Sequence, residues 1–113
     1  MTADNFIQRT GITGSRLELA AEFKASPYGM HSAALRAVLN YMRGMPSAGK
    51  HFLLVVRPGE EWALGQMSES DGEPTISDNI RFQSMEEGEW HVFRLRWEKM
   101  FGTAIPETPG ARR

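Results

Sequence analysis

The fold is decided by residues 51–67, which read HFLLVVRPGEEWALGQM. Two apolar runs flank the step Pro58-Gly59, in which proline fixes φ at the first central turn position and glycine permits a positive φ at the second. This is a type II arrangement, although tight hairpins prefer the primed turns, so a looser four-residue connection is also possible. The stretch therefore predicts a β-hairpin. Because its first run is apolar on both faces, we expect that strand to be central in its sheet.

Helix signals lie on both sides of the hairpin. Ser15-Arg16-Leu17-Glu18 fits a capping box and predicts a helix that ends near Ser26, because Pro27 disfavours α geometry at the residue before it. A second helix is predicted over about residues 32–43, where apolar residues recur at helical spacing. A third is predicted from a capping box at Ser84 to Gly102. Residues 74–76 predict a short third strand, which Pro74 would confine to an edge.

Together these elements predict an α+β fold. It has two N-terminal helices, a two- to three-stranded antiparallel sheet containing the hairpin, and a long C-terminal helix packed on one face. Residues 1–13 show no sustained periodicity and are predicted to form an N-terminal arm. Residues 14–102 are predicted to form a single domain, and residues 103–113, with two prolines and a glycine, a flexible tail.

Composition excludes several classes of function. The chain has 113 residues, 41% of them hydrophobic, and a formal net charge of −1, which gives no electrostatic footprint for nucleic acid or an anionic membrane. It has no cysteine, so disulfides and thiolate sites are excluded. Its first residues show no secretory pattern, and its longest apolar run is far shorter than a membrane span of about 20 residues. The cytoplasm is the expected compartment.

No catalytic, cofactor-binding or metal-binding residue is predicted in this chain. His31, His51 and His91 are not spaced as helical zinc ligands are. Glu87 and His91 form an i, i+4 pair, but a metal site of this kind needs further carboxylates from other helices, so a helix-stabilising pair is favoured. Residues 44–50 resemble a phosphate-binding loop only loosely, because a strand rather than a helix follows them.

The aromatic content points instead to a partner surface. Three tryptophans, two tyrosines and six phenylalanines are a large load for so small a core, and exposed aromatic patches mark interfaces. The predicted partner-interface residues are Tyr28, Tyr41, Arg43, Trp62 and Arg81.

A family resemblance makes the hypothesis of a partner surface more specific. The region from Ser26 to Met100 resembles the small (light-chain) subunit of N,N-dimethylformamidase. The matching features occur in the family's order: Pro27-Tyr28-Gly29, Asn40-Tyr41-Met42-Arg43, Met45-Pro46, Gly49-Lys50, Glu61-Trp62, Arg81-Phe82, Glu86-Glu87, His91-Val92-Phe93 and Arg96. The hairpin turn at residues 57–60, the N-terminal arm and the tail depart from the family's pattern.

The resemblance implies a non-catalytic subunit of a heteromeric enzyme. In that family the amide-hydrolysing iron site belongs to the large subunit, held by tyrosine and glutamate ligands there, and the small subunit packs against it. No cofactor is thus expected in this chain, and its expected partner is a large catalytic subunit. Two alternatives stay open: a free-standing, self-associating interaction or regulatory module, and a small-molecule-binding domain with a cavity lined by Trp62, Tyr41 and His51.

Overall fold

The computed structural model describes residues 3–70 and 72–106. Its elements follow the order α1 (Asp4–Thr10), α2 (Leu17–Ala25), α3 (Ala33–Arg43), β1 (His51–Arg57), β2 (Glu61–Gln66), β3 (Thr75–Phe82) and α4 (Met85–Phe101). The three strands form one antiparallel sheet, and the long α4 packs against it. The predicted α+β class is therefore confirmed.

The chain divides into two compact units. Unit 1 comprises Met1–Gly44 and Arg94–Arg113, and unit 2 comprises Met45–Phe93. The single domain predicted over residues 14–102 stays a prediction. Of the predicted flexible tail, residues 107–113 lie outside the described residues.

Unit 1 contains a helix where the sequence predicts an arm. Within residues 1–13, Asp4–Thr10 form α1, which ends at Gly11 with a left-handed φ of 77°. Phe6 is buried, and its ring centroid lies 5.2 Å from that of Tyr41 and 6.3 Å from that of Phe101. The arm prediction missed this helix because seven residues give too short a periodic signal, and the order comes from aromatic contacts distant in sequence.

The two following helices differ in how they begin. The capping box predicted at Ser15 is wrong: α2 starts at Leu17 without a side-chain cap, and the Ser15 hydroxyl bonds instead to that of Thr13. At α3 the Ser32 hydroxyl accepts a hydrogen bond from the Leu35 N–H, as an N-cap serine does. Leu35, Val38 and Met42 of the predicted apolar stripe are buried in the core of unit 1.

A carboxylate ties α2 to the start of α3. The Ser32 N–H donates to Glu22 Oε2 at 2.6 Å, and the Ser32 hydroxyl donates to Glu22 Oε1 at 2.8 Å. These hydrogen bonds, first the one from the backbone, lower the pKa of the Glu22 carboxyl below its usual value because they stabilise the charged form. Glu22 thus joins the two helices through groups that would otherwise face water.

Unit 2 holds the sheet, whose strand order is β1-β2-β3. The expectation that β1 is central is wrong: β2 is the central strand, and β1 is an edge. Ala63 and Leu64 of β2 are buried, whereas the second half of β1 is exposed. A run of apolar residues does not show whether a strand has a neighbour on one side or on both. The order of the strands in the sheet could therefore not be predicted from the sequence. The edge position predicted for β3 is confirmed, although this strand extends to Phe82.

The hairpin turn forms as its residues predict. Gly59 has φ 73°, and the Glu60 N–H donates to the Arg57 carbonyl at 2.9 Å. Val55 pairs with Trp62 and Arg57 with Glu61, so one extra residue bulges from β1 just before the turn.

Helix α4 lies close to the sheet within unit 2. Ser84 caps its start: the Ser84 hydroxyl accepts from the Glu87 N–H at 3.2 Å. The Glu87 carboxylate returns a bond as in a capping box, but Oε1 accepts from the N–H of Gln83, one residue before the cap, at 3.0 Å. One turn further, Gly88 has no side chain at the point where α4 meets Leu53, so a Cβ there would lie 2.8 Å from Leu53 Cδ1. Ring contact between His91 and Phe82, at 5.2 Å, continues the packing.

Candidate partner interface

The most exposed apolar surface of the sheet is the end of β1. Leu54, Val55 and Val56 expose 41%, 53% and 41% of their surface. Three consecutive aliphatic residues on one strand form a patch, whereas single exposed apolar residues are common on any protein. We call residues 53–56 with their outward backbone groups the β1 edge.

The backbone of the β1 edge is directed away from the sheet at alternate residues. The Met67 N–H donates to the Lys50 carbonyl at 2.8 Å, so residues 50 and 67 form a hydrogen-bonded pair. In an antiparallel ladder such pairs alternate along the strand. The register of β1 with β2 then turns the backbone groups of Leu54 towards β2 and those of Leu53 and Val55 outward. Among the described residues, no strand pairs with this outward side.

The opposite edge of the same sheet is built differently. Between the pairs Ala63↔Arg81 and Gly65↔Ile76, residues 77–80 of β3 leave the regular register. The Ser77 hydroxyl accepts from the N–H groups of Asn79 and Ile80, which closes this irregular segment on itself. Bulges and polar residues protect a strand edge from pairing with another chain. β3 has these features along residues 77–80, whereas β1 has them only at its two ends, at His51 and at the bulge before the turn.

Charged groups cluster at the hairpin end of the sheet. Glu61 Oε1 lies 3.5 Å from Arg57 Nη2, and Glu61 Oε2 lies 3.4 Å from Arg81 Nε. Only 21% of the Glu61 side chain is exposed, so this carboxylate is shielded between two guanidinium groups. The Arg81 side chain is further fixed by donating to the Ser77 carbonyl at 2.6 Å.

Three of the predicted interface residues belong to unit 1. Tyr28 lies in the turn between α2 and α3 and is 59% exposed. Tyr41 is half-buried on α3, with its ring against that of Phe6. Arg43, exposed at the end of α3, donates from Nη1 to Asn40 Oδ1 at 2.6 Å. Tyr28 and Arg43 therefore offer surface to a partner, and Tyr41 offers less.

The other two belong to neighbouring strands of unit 2 but to opposite faces of the sheet. Trp62 pairs with Phe82, the residue that contacts His91 of α4, and only 8% of Trp62 is exposed. Arg81 pairs with Ala63 and lies on the other face, in the ion cluster. The burial of Trp62 argues against a direct contact with a partner, while the role of the five residues stays a prediction.

The β1 edge is the surface that sequence reasoning missed. Its residues were interpreted as a buried central strand, so their exposure was not expected. The sequence did contain one indication. β1 is apolar and has no internal proline or acidic residue, whereas residues 77–79 of β3 are polar, so the two strands were not expected to have equally polar environments.

Within residues 3–70 and 72–106, no three His, Cys, Asp or Glu side chains converge as a metal site requires. No helix in the described part of the chain is long and apolar enough to cross a membrane.

Comparison with protein families identifies a relationship for most of the chain. The family described as N,N-dimethylformamidase alpha subunit matches residues 7–105, which is most of the chain. No curated protein matches. The matched range includes α2, α3, all three strands and α4.

Proposed function

The chain belongs to the N,N-dimethylformamidase alpha-subunit family, and on that premise we propose that it is a non-catalytic small subunit that packs against a large, iron-dependent, amide-hydrolysing subunit. The observation that carries the proposal is the family match over residues 7–105. The expected compartment of the complex is the cytoplasm, and its expected substrates are linear amides.

The surface of the chain supports a binding role. Within unit 2, the β1 edge offers apolar contacts and the charged groups around Glu61 offer polar contacts. Interfaces combine an apolar centre with a polar rim in this way. The iron of the complex is assigned to the large subunit, so this chain is proposed to act by binding and by supporting the fold of its partner.

Co-expression with a large subunit of the same enzyme family tests the proposal. We expect the two proteins to co-elute, amide hydrolysis to need the large subunit, and iron analysis to find the metal in the complex and not in this chain alone. Separate elution of the two proteins would refute the partnership, and amide hydrolysis by the isolated chain would refute the non-catalytic role.

Variants of the predicted interface residues refine the same test. Tyr28→Ala and Arg43→Ala remove exposed side chains of unit 1, so we expect them to weaken the complex without unfolding the chain. Glu98→Gln, exposed on α4, is the matched surface control. Activity per complex should be unchanged in all three variants once binding is saturated, because none of these residues is proposed to take part in catalysis.

A further inference from the structure

We propose that Met30 is a site of reversible oxidation, at which a two-electron oxidant such as hydrogen peroxide converts the thioether to a sulfoxide while the core methionines stay reduced. Met30 lies in the segment that joins α2 to α3, residues 26–32, which we call the α2–α3 loop. The inference concerns this chain by itself and goes beyond its proposed role in a complex.

The methionine side chains differ widely in exposure. Met30 is 100% exposed and Met67 is 39% exposed, whereas Met42 and Met100 expose only 2% and 1% of their surface. An oxidant in solution reaches an exposed sulfur directly, whereas it reaches a buried one only when the fold opens. Among the methionines that the structure describes, Met30 therefore offers the most accessible thioether.

The composition directs the oxidant to methionine. Cysteine thiolates are the stronger sulfur nucleophiles of proteins, and they react with peroxide to give sulfenic acid. This chain has no cysteine, so no thiolate competes with its thioethers. Peroxide that meets this chain is thus expected to react first at an accessible methionine.

The reaction is balanced with peroxide as the oxidant. The sulfur lone pair attacks one peroxide oxygen, an S–O bond forms, and the O–O bond breaks. The departing hydroxide takes the proton of the attacked oxygen and leaves as water, so the sulfur loses two electrons and the peroxide gains two. The reverse reaction consumes two thiols, which become a disulfide while the sulfoxide oxygen leaves as water, and methionine sulfoxide reductases catalyse it.

The hydrogen bonds that hold the α2–α3 loop are made by residues other than Met30. The Ser32 N–H and hydroxyl both donate to the carboxylate of Glu22. The His31 ring is bonded through Nε2 to the Ser26 carbonyl at 2.8 Å. Because these bonds do not use the thioether, a sulfoxide at Met30 leaves them in place.

Oxidation at this position changes the surface and preserves the fold. Tyr28 is 59% exposed, and with Met30 it gives the α2–α3 loop an exposed apolar surface. A sulfoxide is polar, so it makes part of this surface polar. Met42 and Met100 lie in the core of unit 1, where the same change would disrupt packing, and their burial protects them.

Timed oxidation of the folded chain by hydrogen peroxide, followed by tryptic digestion and mass spectrometry, tests the proposal. Cleavage after lysine and arginine places all seven methionines on separate peptides, and Met30 is the sole methionine of residues 25–36. We expect Met30 to react within about threefold of the rate of N-acetylmethionine amide and at least about tenfold faster than Met42 and Met100, with Met67 between them. In urea the rates of these four should agree within about threefold, because the fold no longer shields any of them.

Two variants separate Met30 from the other methionines. Met30→Leu keeps an apolar side chain and removes the sulfur, so the rapid uptake of oxygen assigned to this residue should disappear. Met67→Leu is the matched surface control, and residues 25–36 should still gain one oxygen at the original rate. Oxidation of Met30 as slow as that of Met42, or slower than that of Met67, would overturn the proposal.

Fold and reversibility are measured on the chain oxidised at Met30. Its far-UV circular dichroism and its urea midpoint should match those of the reduced chain, and a lower midpoint would overturn the claim that only the surface changes. Treatment with a thiol and the two methionine sulfoxide reductases, one for each sulfoxide epimer, should return at least about 90% of Met30 to the thioether. A sulfoxide that these enzymes leave in place would overturn the claim of reversibility.

Discussion

Replacing Gly88 with alanine tests the close approach of α4 to the sheet. A Cβ at Gly88 would lie 2.8 Å and 2.9 Å from the two Cδ atoms of Leu53 and 3.4 Å from its Cγ. Ordinary carbon contacts are about 3.5–4.0 Å, so the leucine or the helix must move by roughly half an ångström or more. The substitution is therefore favourable for the helix and unfavourable for its packing.

These two effects have opposite signs and similar sizes. Alanine instead of glycine in a helix interior stabilises by about 1 kcal/mol, whereas overpacking costs about 1–3 kcal/mol. We expect Gly88→Ala to lower the free energy of unfolding by about 1 kcal/mol in the unmodified chain. Leu53→Ala alone should lower it by about 2 kcal/mol, near the low end for leucine because Leu53 is only half-buried.

The decisive quantity is the coupling between the two substitutions. In the Leu53→Ala background the obstructing carbons are absent, so Gly88→Ala should now stabilise by about 1 kcal/mol. The double-mutant cycle then gives a coupling energy of about 2 kcal/mol. Urea denaturation followed by far-UV circular dichroism measures all four proteins, and Ala37→Gly on α3 calibrates the helix-propensity contribution in this chain. Equal stabilisation by Gly88→Ala in both backgrounds would refute the claim that Leu53 requires a glycine at this point.

Three further substitutions test other contacts. A Cβ at Gly65 would lie 2.6 Å from Phe52 Cε2, so Gly65→Ala should destabilise by about 1–3 kcal/mol in urea denaturation; a neutral result would show that the ring moves aside freely. Glu22→Gln should lower stability at pH 7 by about 1 kcal/mol. Because the folded-state pKa of Glu22 is lowered, its contribution to stability is full above the unfolded pKa of about 4.3 and is lost as pH falls through the lowered folded pKa. The free energies of unfolding of the two proteins should therefore converge in acid. A constant difference between them from pH 7 to pH 2 would contradict this. Glu61→Gln should cost less than about 1 kcal/mol, and less again in 1 M NaCl; thermal unfolding at both salt concentrations measures this, and a loss that grows with salt would contradict an ionic contribution from Glu61.

Local signals in the sequence were reliable where one residue type has one structural consequence. Gly59 adopts the positive φ that its turn requires, and Ser84 caps α4 as predicted. Ser15 has the same local pattern and does not cap α2. The difference arises because a capping box must compete with other partners, and Thr13 provides one for the Ser15 hydroxyl.

Non-local features were harder to predict. The burial of Phe6, which makes α1 part of the core of unit 1, depends on Tyr41 and Phe101, which are far away in sequence. The order of strands depends likewise on which side of β2 each neighbour takes. For the candidate interface, sequence alone indicated exposed aromatic residues, and Tyr28 fits this expectation, whereas the exposed aliphatic residues at Val55 follow from an edge position that only the pairing of the strands reveals.

The local pairing of the sheet has a consequence for the order in which unit 2 assembles. β1 pairs with β2 between residues no further apart than His51 and Gln66, and β2 with β3 between residues no further apart than Trp62 and Phe82. Contacts of such short sequence separation form fast, because little chain entropy is lost in closing the loops between them. During synthesis the whole sheet also leaves the ribosome before α4, which follows from Met85. We therefore expect the hairpin amides to be protected before those of α4 in pulse-labelled refolding, and earlier protection of α4 would contradict this order. In that interval the face of the sheet that α4 packs against is exposed to water.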